Sequence, residues 1–143
     1  DGFSMLINRE KFKDEKYFDE NFFLYLENND LCIRTINNNE NIFIIKNSKI
    51  DHLGASSSDK LFSKEIEYLR NWHWMWSKFY FNKKHYGLFV ALSKISFNLF
   101  SAIIKFLIYL ITLNHYKRKI YEMRISGILN SIFGKKSWFR IKD

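Results

Sequence analysis

Between residues 88 and 113 the chain is almost wholly apolar, and this stretch constrains its folding more than any other. An apolar segment of that length is a buried helix, a bilayer-crossing helix, or a helix lying against a bilayer. A narrow polar line runs through it. Lys94, Asn98, Ser101, Lys105, Tyr109 and Thr112 recur at steps of three and four, which places them on one helical face. A spanning helix needs about 20 uninterrupted apolar residues, whereas two lysines divide this stretch. The pattern therefore favours an amphipathic helix, in the membrane plane or packed on the protein, over a crossing one. A shorter amphipathic segment follows at 125–133, after a strongly basic run at 115–124.

The charge is divided along the same lines. Residues 1–60 carry 8 basic and 11 acidic side chains, 61–114 carry 7 and 2, and 115–143 carry 8 and 2. A basic second half interleaved with Trp, Tyr and Phe suits an anionic partner, either nucleic acid or the cytoplasmic face of a bilayer. The long apolar segment argues against nucleic acid. At 143 residues the chain is sized for one modest domain. Its opening at Asp1, with no charged leader or cleavage site, predicts that it has been cut from something longer. Cys32 is the only cysteine, so neither an intramolecular disulfide nor a cysteine-cluster zinc site is open to it.

Residues 2–8 form a short apolar run opened by Gly2 and read as a buried strand. Residues 22–26 are a second apolar run, also expected inside. Asn28, Asn29 and Asp30 supply N-cap chemistry for a helix through about Asn37, and Asn38 and Asn39 suit a left-handed turn after it. Residues 42–45 and 49–53 read as two short strands around Asn47 and Ser48. After Gly54 and a serine-rich loop, a helix is expected over about 60–84, with Phe62, Ile66, Leu69, Trp72, Trp76 and Phe79 at helical spacing. Its run of Trp72, His73, Trp74, Met75 and Trp76 covers every helical face, which suits either membrane-interface anchoring or burial on several sides.

The densest polar constellation is Glu27, Asn28, Asn29 and Asp30, set between an apolar run and a helix start. A carboxylate there is held ionised by the helix N-terminus, which suits a general base or a cation ligand, although ordinary capping is the commoner reason for such residues at a helix start. His52 closes a strand-like stretch beside Gly54, a common place for a ligand residue, although a lone histidine is more often structural. His73, His85 and His115 show no metal-ligand spacing and read as structural or interfacial.

Taken in register, GFSMLINREKF, YFDENFFLYLENNDLCIR and IFIIKNSKIDHLGASS resemble the C-terminal half of the catalytic domain of family 2 glycosyltransferases, in particular the rhamnosyltransferase-like branch. The resemblance spans about residues 2–60. The family's Gly-x-x-Met strand, Gly-x-Phe-Asp-Glu-x-Phe-Phe segment, Glu-Asp-x-Asp-Leu-Cys-x-Arg helix start and His-x-Gly-Gly-x-Ser strand end are matched at residues 2–5, 16–23, 27–34 and 52–57. Lys16, Asn39 and Ala55 replace family glycines. Asn28 stands where relatives carry the aspartate assigned as catalytic base, and an amide takes no proton at neutral pH. That work falls to Asp30, favoured, or to Glu27, unless the protein is slow or inactive.

The resemblance implies an α/β fold: the C-terminal half of a Rossmann-like GT-A domain over residues 1–60, an aromatic-rich helix over 61–86 and a basic, amphipathic, membrane-associated helical tail over 87–143. It implies that His52 ligates a Mg²⁺ or Mn²⁺ ion that holds the diphosphate of a nucleotide-sugar donor. The acceptor would be a saccharide or a lipid-linked saccharide at the cytoplasmic membrane surface. Arg70 is then placed to reach an anionic donor or a lipid phosphate, or stays a solvated surface charge. The expected reaction is inverting sugar transfer, its nucleotide-binding half lying outside these residues. The competing reading is a membrane-surface binding module without catalysis.

Overall fold

The structure, a computed structural model, describes residues 4–8, 10, 16–51 and 63–141. Its regular elements are four helices: α1 (Glu27–Asn37), α2 (Ser63–Tyr86), α3 (Leu88–Ile111) and α4 (His115–Ile132). In α2, Trp72, Met75, Trp76 and Phe79 recur at helical spacing and are all buried, with Glu65 in the first turn and Lys83, Lys84 and His85 in the last, matching the helix dipole. Gly87, at φ 85°, ends α2 and starts α3 within one residue. Leu113, at φ 55°, turns the chain again, and the Asn114 side chain caps α4 by accepting from the Lys117 amide.

With such short connections α2, α3 and α4 run up, down and up as a three-helix bundle. Met75 and Phe79 of α2, Ala91 and Ile95 of α3, and Ile128 of α4 form one buried cluster. Trp72, Trp76 and Met123 form a second, flanked by Tyr68, Tyr80 and Phe139. The α2–α4 crossing is close because residue 127 is glycine: a Cβ there would lie 2.3 Å from the Trp72 carbonyl oxygen. The remaining faces of α2 are clothed by two non-helical segments. Ser77 donates to the Leu24 carbonyl and Phe22 meets Tyr80 edge-on, while Trp76 donates to the Lys135 carbonyl and Ser137 to that of Asn21. The tryptophan run is thus mainly core, with Trp74 alone left exposed.

The expected α/β architecture is overturned. Among the described residues there is no strand and no sheet, so the described fold is all-helical and not half of a Rossmann-like domain. Residues 4–8, 42–45 and 49–51 are irregular, and Phe43 and Ile44 are 81% and 87% exposed. Their composition suits a pleated, half-buried surface, but a strand exists only by pairing, and these runs find no ladder partner. Residues 22–26 turn instead of extending, and Phe22 alone of that run is buried. The remaining strand positions, residues 2, 3, 52 and 53, and the serine-rich loop lie outside the described residues.

The helical expectations fare differently. α1 ends at Asn37 and Asn39 takes φ 58°, as its sequence suggests. Its start differs: the N-cap is Leu26 and no side chain caps it, because Asn28, Asn29 and Asp30 lie inside the first turn. α3 is long and apolar enough to cross a membrane, and only 11% of its most apolar window is buried in the protein.

Candidate functional site

The candidate site is α1 and the turn before it. Tyr25 and Leu26 both have left-handed φ, 70° and 69°, a costly conformation for two successive side chains with a Cβ. Backbone strain of this kind persists only where the surroundings over-determine it, and it concentrates at functional sites. Glu27 follows immediately. From there α1 presents its carboxylates to two different surroundings.

Asp30 is fully enclosed, at 0% exposure. Its Oδ2 accepts from Arg34 Nε at 2.9 Å, and its Oδ1 lies 2.6 Å from Lys84 Nζ and 2.8 Å from His85 Nε2. Burial pushes the carboxyl up, but bonds to Lys84, Arg34 and His85 outweigh it and hold the group below its ordinary range. Lys84 also reaches Asp19 Oδ2 at 2.8 Å, which accepts from the Tyr80 hydroxyl at 2.9 Å as well. Burial again opposes, yet Lys84, the Asn21 amide and Tyr80 bring Asp19 down to about 2. The Tyr80 phenol, partly buried and bonded to that carboxylate, rises to about 12. Arg34 donates further to the carbonyls of Lys16 and Tyr17, tying the segment before α1 to the cluster. A shallow cleft of about 350 Å³ opens over it, lined by Lys16, Asp19, Glu20, Asn21, Arg34 and Lys84.

Glu27 has no such company. Its Oε2 is buried and finds no hydrogen-bond partner among the described residues. Its charge and that of exposed Arg70 both act on the Tyr25 hydroxyl, whose pKa is raised chiefly by burial, with Arg70 opposing and Glu27 reinforcing. The structure therefore separates the residues expected to act together. Glu27, Tyr25 and Arg70 share one neighbourhood, Asp30 is locked into the other, and Asn28 is half-buried in the first turn of α1.

Protonation of Asp30 would break its ion pairs with Arg34 and Lys84, whereas Glu27 Oε2 has no partner among the described residues to lose. The surroundings of Asp19 and Asp30 do not fit a divalent cation, since ammonium and guanidinium groups already occupy their oxygens. Among the described residues no three His, Cys, Asp or Glu side chains are grouped to hold a metal. His52 lies outside the described residues.

Lys84 and His85 were not legible in the sequence as partners of Asp30, nor Asp19 and Tyr80 as members of the cluster that Lys84 extends. Lys84 and His85 stand 54 and 55 residues after it, and end-of-helix basicity explains them locally. The Asp30–Arg34 pair, four residues apart on one helix, was open to view as a standard ion-pair spacing. Compared with protein-family profiles, with characterised proteins and with solved structures, the chain matches none.

Proposed function

We propose that the chain is the membrane-seated, acceptor-side part of an inverting glycosyltransferase that moves a sugar from a nucleotide-sugar to a saccharide or lipid-linked acceptor at the cytoplasmic face of the membrane. One observation carries the catalytic part of this reading: the buried, unpartnered carboxylate oxygen of Glu27 directly after a strained turn. In this reading Glu27 takes the proton of the acceptor hydroxyl, that oxygen bonds to the anomeric carbon, and the sugar's bond to the nucleoside diphosphate breaks on the opposite side. Arg70 serves the anionic donor or a lipid phosphate. Asp30 is a positioning residue, holding α1 to the end of α2.

The membrane part is supported by α3, which starts three residues after His85. A site on α1 would thus sit near the lipid surface, where a lipid-linked acceptor presents its sugar. His52 and donors outside the described residues would hold a Mg²⁺ or Mn²⁺ ion, whose charge would offset that of the departing diphosphate. Asn28 and the occupied Asp30 favour the second reading, a membrane-surface binding module without catalysis.

The experiment is sugar transfer by membranes expressing the complete open reading frame, with radiolabelled nucleotide-sugars and lipid extraction of the product. Glu27→Gln is expected to lower transfer by about 10² or more at unchanged protein abundance. Undiminished transfer by that variant would remove Glu27 from the reaction, and absence of transfer with every donor would leave the binding module.

A further inference from the structure

The outer surface of α3 has no protein against it. Phe89 is 87% exposed, Phe97 77%, Phe100 64% and Ile111 80%. At about 100° per residue these four, with Ile104 and Leu107, fall within roughly 80° of one another. Their arc is centred opposite Ala91, Ile95 and Ala102, the three residues that α3 buries against α2 and α4. Lys94 and Lys105 stand together on one flank, between the packed and open sides. Each Nζ rests over a tyrosine ring, Lys94 at 4.9 Å from Tyr86 and Lys105 at 5.5 Å from Tyr121 of α4. This strip runs the length of a 24-residue helix and is apolar except for Ser93, and an exposed apolar surface of that extent marks a binding surface.

Two observations choose its occupant and its orientation. From residue 61 onward the chain carries 15 basic and 4 acidic side chains, which disfavours a second copy and favours an anionic surface. And α3 does not stand alone: Lys78 of α2 bonds Asn98 near the middle of α3, and Tyr121 of α4 stacks on Tyr109. A crossing α3 would carry Lys78, Arg124 and the Lys119–Glu122 pair into the hydrocarbon with it, at a steep cost for each charge. Lying flat leaves every one of them on the aqueous side.

We infer that the α2–α3–α4 bundle is a monotopic raft on an anionic lipid surface, with α3 in the membrane plane, its phenylalanine arc among the acyl chains, and Lys94 and Lys105 at the phosphate level. This rests on the membrane part of the proposed function and not on its chemistry.

The test uses the full chain carrying Cys32→Ser, with nitroxide labels placed singly by Phe89→Cys, Phe100→Cys and Ile111→Cys, on phosphatidylcholine vesicles containing about a third phosphatidylserine. Collision-based depth measurement is expected to place all three labels at one shallow depth, about 5–10 Å below the phosphates. A Phe100 label near the bilayer centre, about 15 Å deep, with the two end labels shallow, would overturn the flat seating while sparing the membrane reading. Failure to float with any vesicle would sink both. Lys94→Gln with Lys105→Gln is expected to weaken binding to the anionic vesicles about tenfold and to leave binding to pure phosphatidylcholine unchanged. Equal weakening on both would remove the charge contribution. Sugar transfer is assayed separately, so its loss or presence does not bear on any of these outcomes.

Discussion

Helices α2 and α3 are each 24 residues long and adjoin across a single glycine, yet the less apolar of the two is the better buried. Seven residues of α2 are buried, three of them polar or titratable: His73, Ser77 and Asn82. Each has a partner. His73 Nε2 lies 2.8 Å from the Phe139 carbonyl oxygen, Ser77 donates to that of Leu24, and Asn82 to that of Lys78. In α3 three small or aliphatic residues are buried and the rest of an apolar helix is left open. Burial here follows the supply of neighbours and bond partners, not apolarity. α2 is wrapped on several sides by α4, by residues 21–25 and by the tail after Gly134, whereas among the described helices α3 packs on α2 and α4. A helix whose apolar surplus the protein does not use has that surplus available for lipid.

This contrast can be broken from the α2 side first. Asp30→Ala would leave Lys84, Arg34 and His85 facing one another without their carboxylate, and should cost about 3–5 kcal/mol in urea unfolding in neutral detergent. A loss below about 1 kcal/mol would mean that α1 is not held to α2 by this cluster. Next comes acid sensitivity. Burial holds the His73 imidazole at about 4, against an ordinary 6.5, so the unfolded chain binds that proton first as pH falls. Its contribution, about 3 kcal/mol, is complete above pH 6.5 and is lost progressively between 6.5 and 4. In the same unfolding assay His73→Gln should flatten that slope. Asp19, at about 2 against 3.8, withdraws roughly 2 kcal/mol more only below pH 4.

Smaller effects sharpen the comparison. Gly127→Ala drives a methyl group into the Trp72 carbonyl and should cost about 1–3 kcal/mol as α4 is pushed off α2, visible as a lowered urea midpoint. On α3, Phe97→Ser and Phe100→Ser should each change folding stability by no more than about 0.5 kcal/mol. Each should nonetheless weaken vesicle binding about tenfold, since a large apolar side chain is withdrawn from the acyl layer. If either substitution destabilised the fold as much as Gly127→Ala, the open face of α3 would have to be covered by protein.

Local features were largely legible. The helix ending at Asn37, though not its start, the asparagine turn after it, the aromatic helix and the polar line through 88–111 all depend on neighbours within a few residues, and all are present. Even Lys94 and Lys105, found along one face by counting, sit on one flank of α3 against tyrosine rings. The strands were not legible, because residues 42–45 have the composition of a strand but no ladder to join. Nor was the division of α1. Asp30 and Glu27 lie three residues apart in the same motif, but one is enclosed by Lys84 and His85 and the other keeps an unpartnered oxygen.

What the amino-acid order determined alone is helical periodicity, turn chemistry and the unequal charge of the two halves, since these depend on backbone preference and on side chains within one or two turns. Which apolar surface is covered, which carboxylate is neutralised and where α4 crosses α2 were decided by the tertiary structure. Those outcomes depend on groups about 50 residues apart in the chain, such as Asp30 with Lys84 and Gly127 with Trp72, and the free energy of such a pair does not exist until the fold has brought it together.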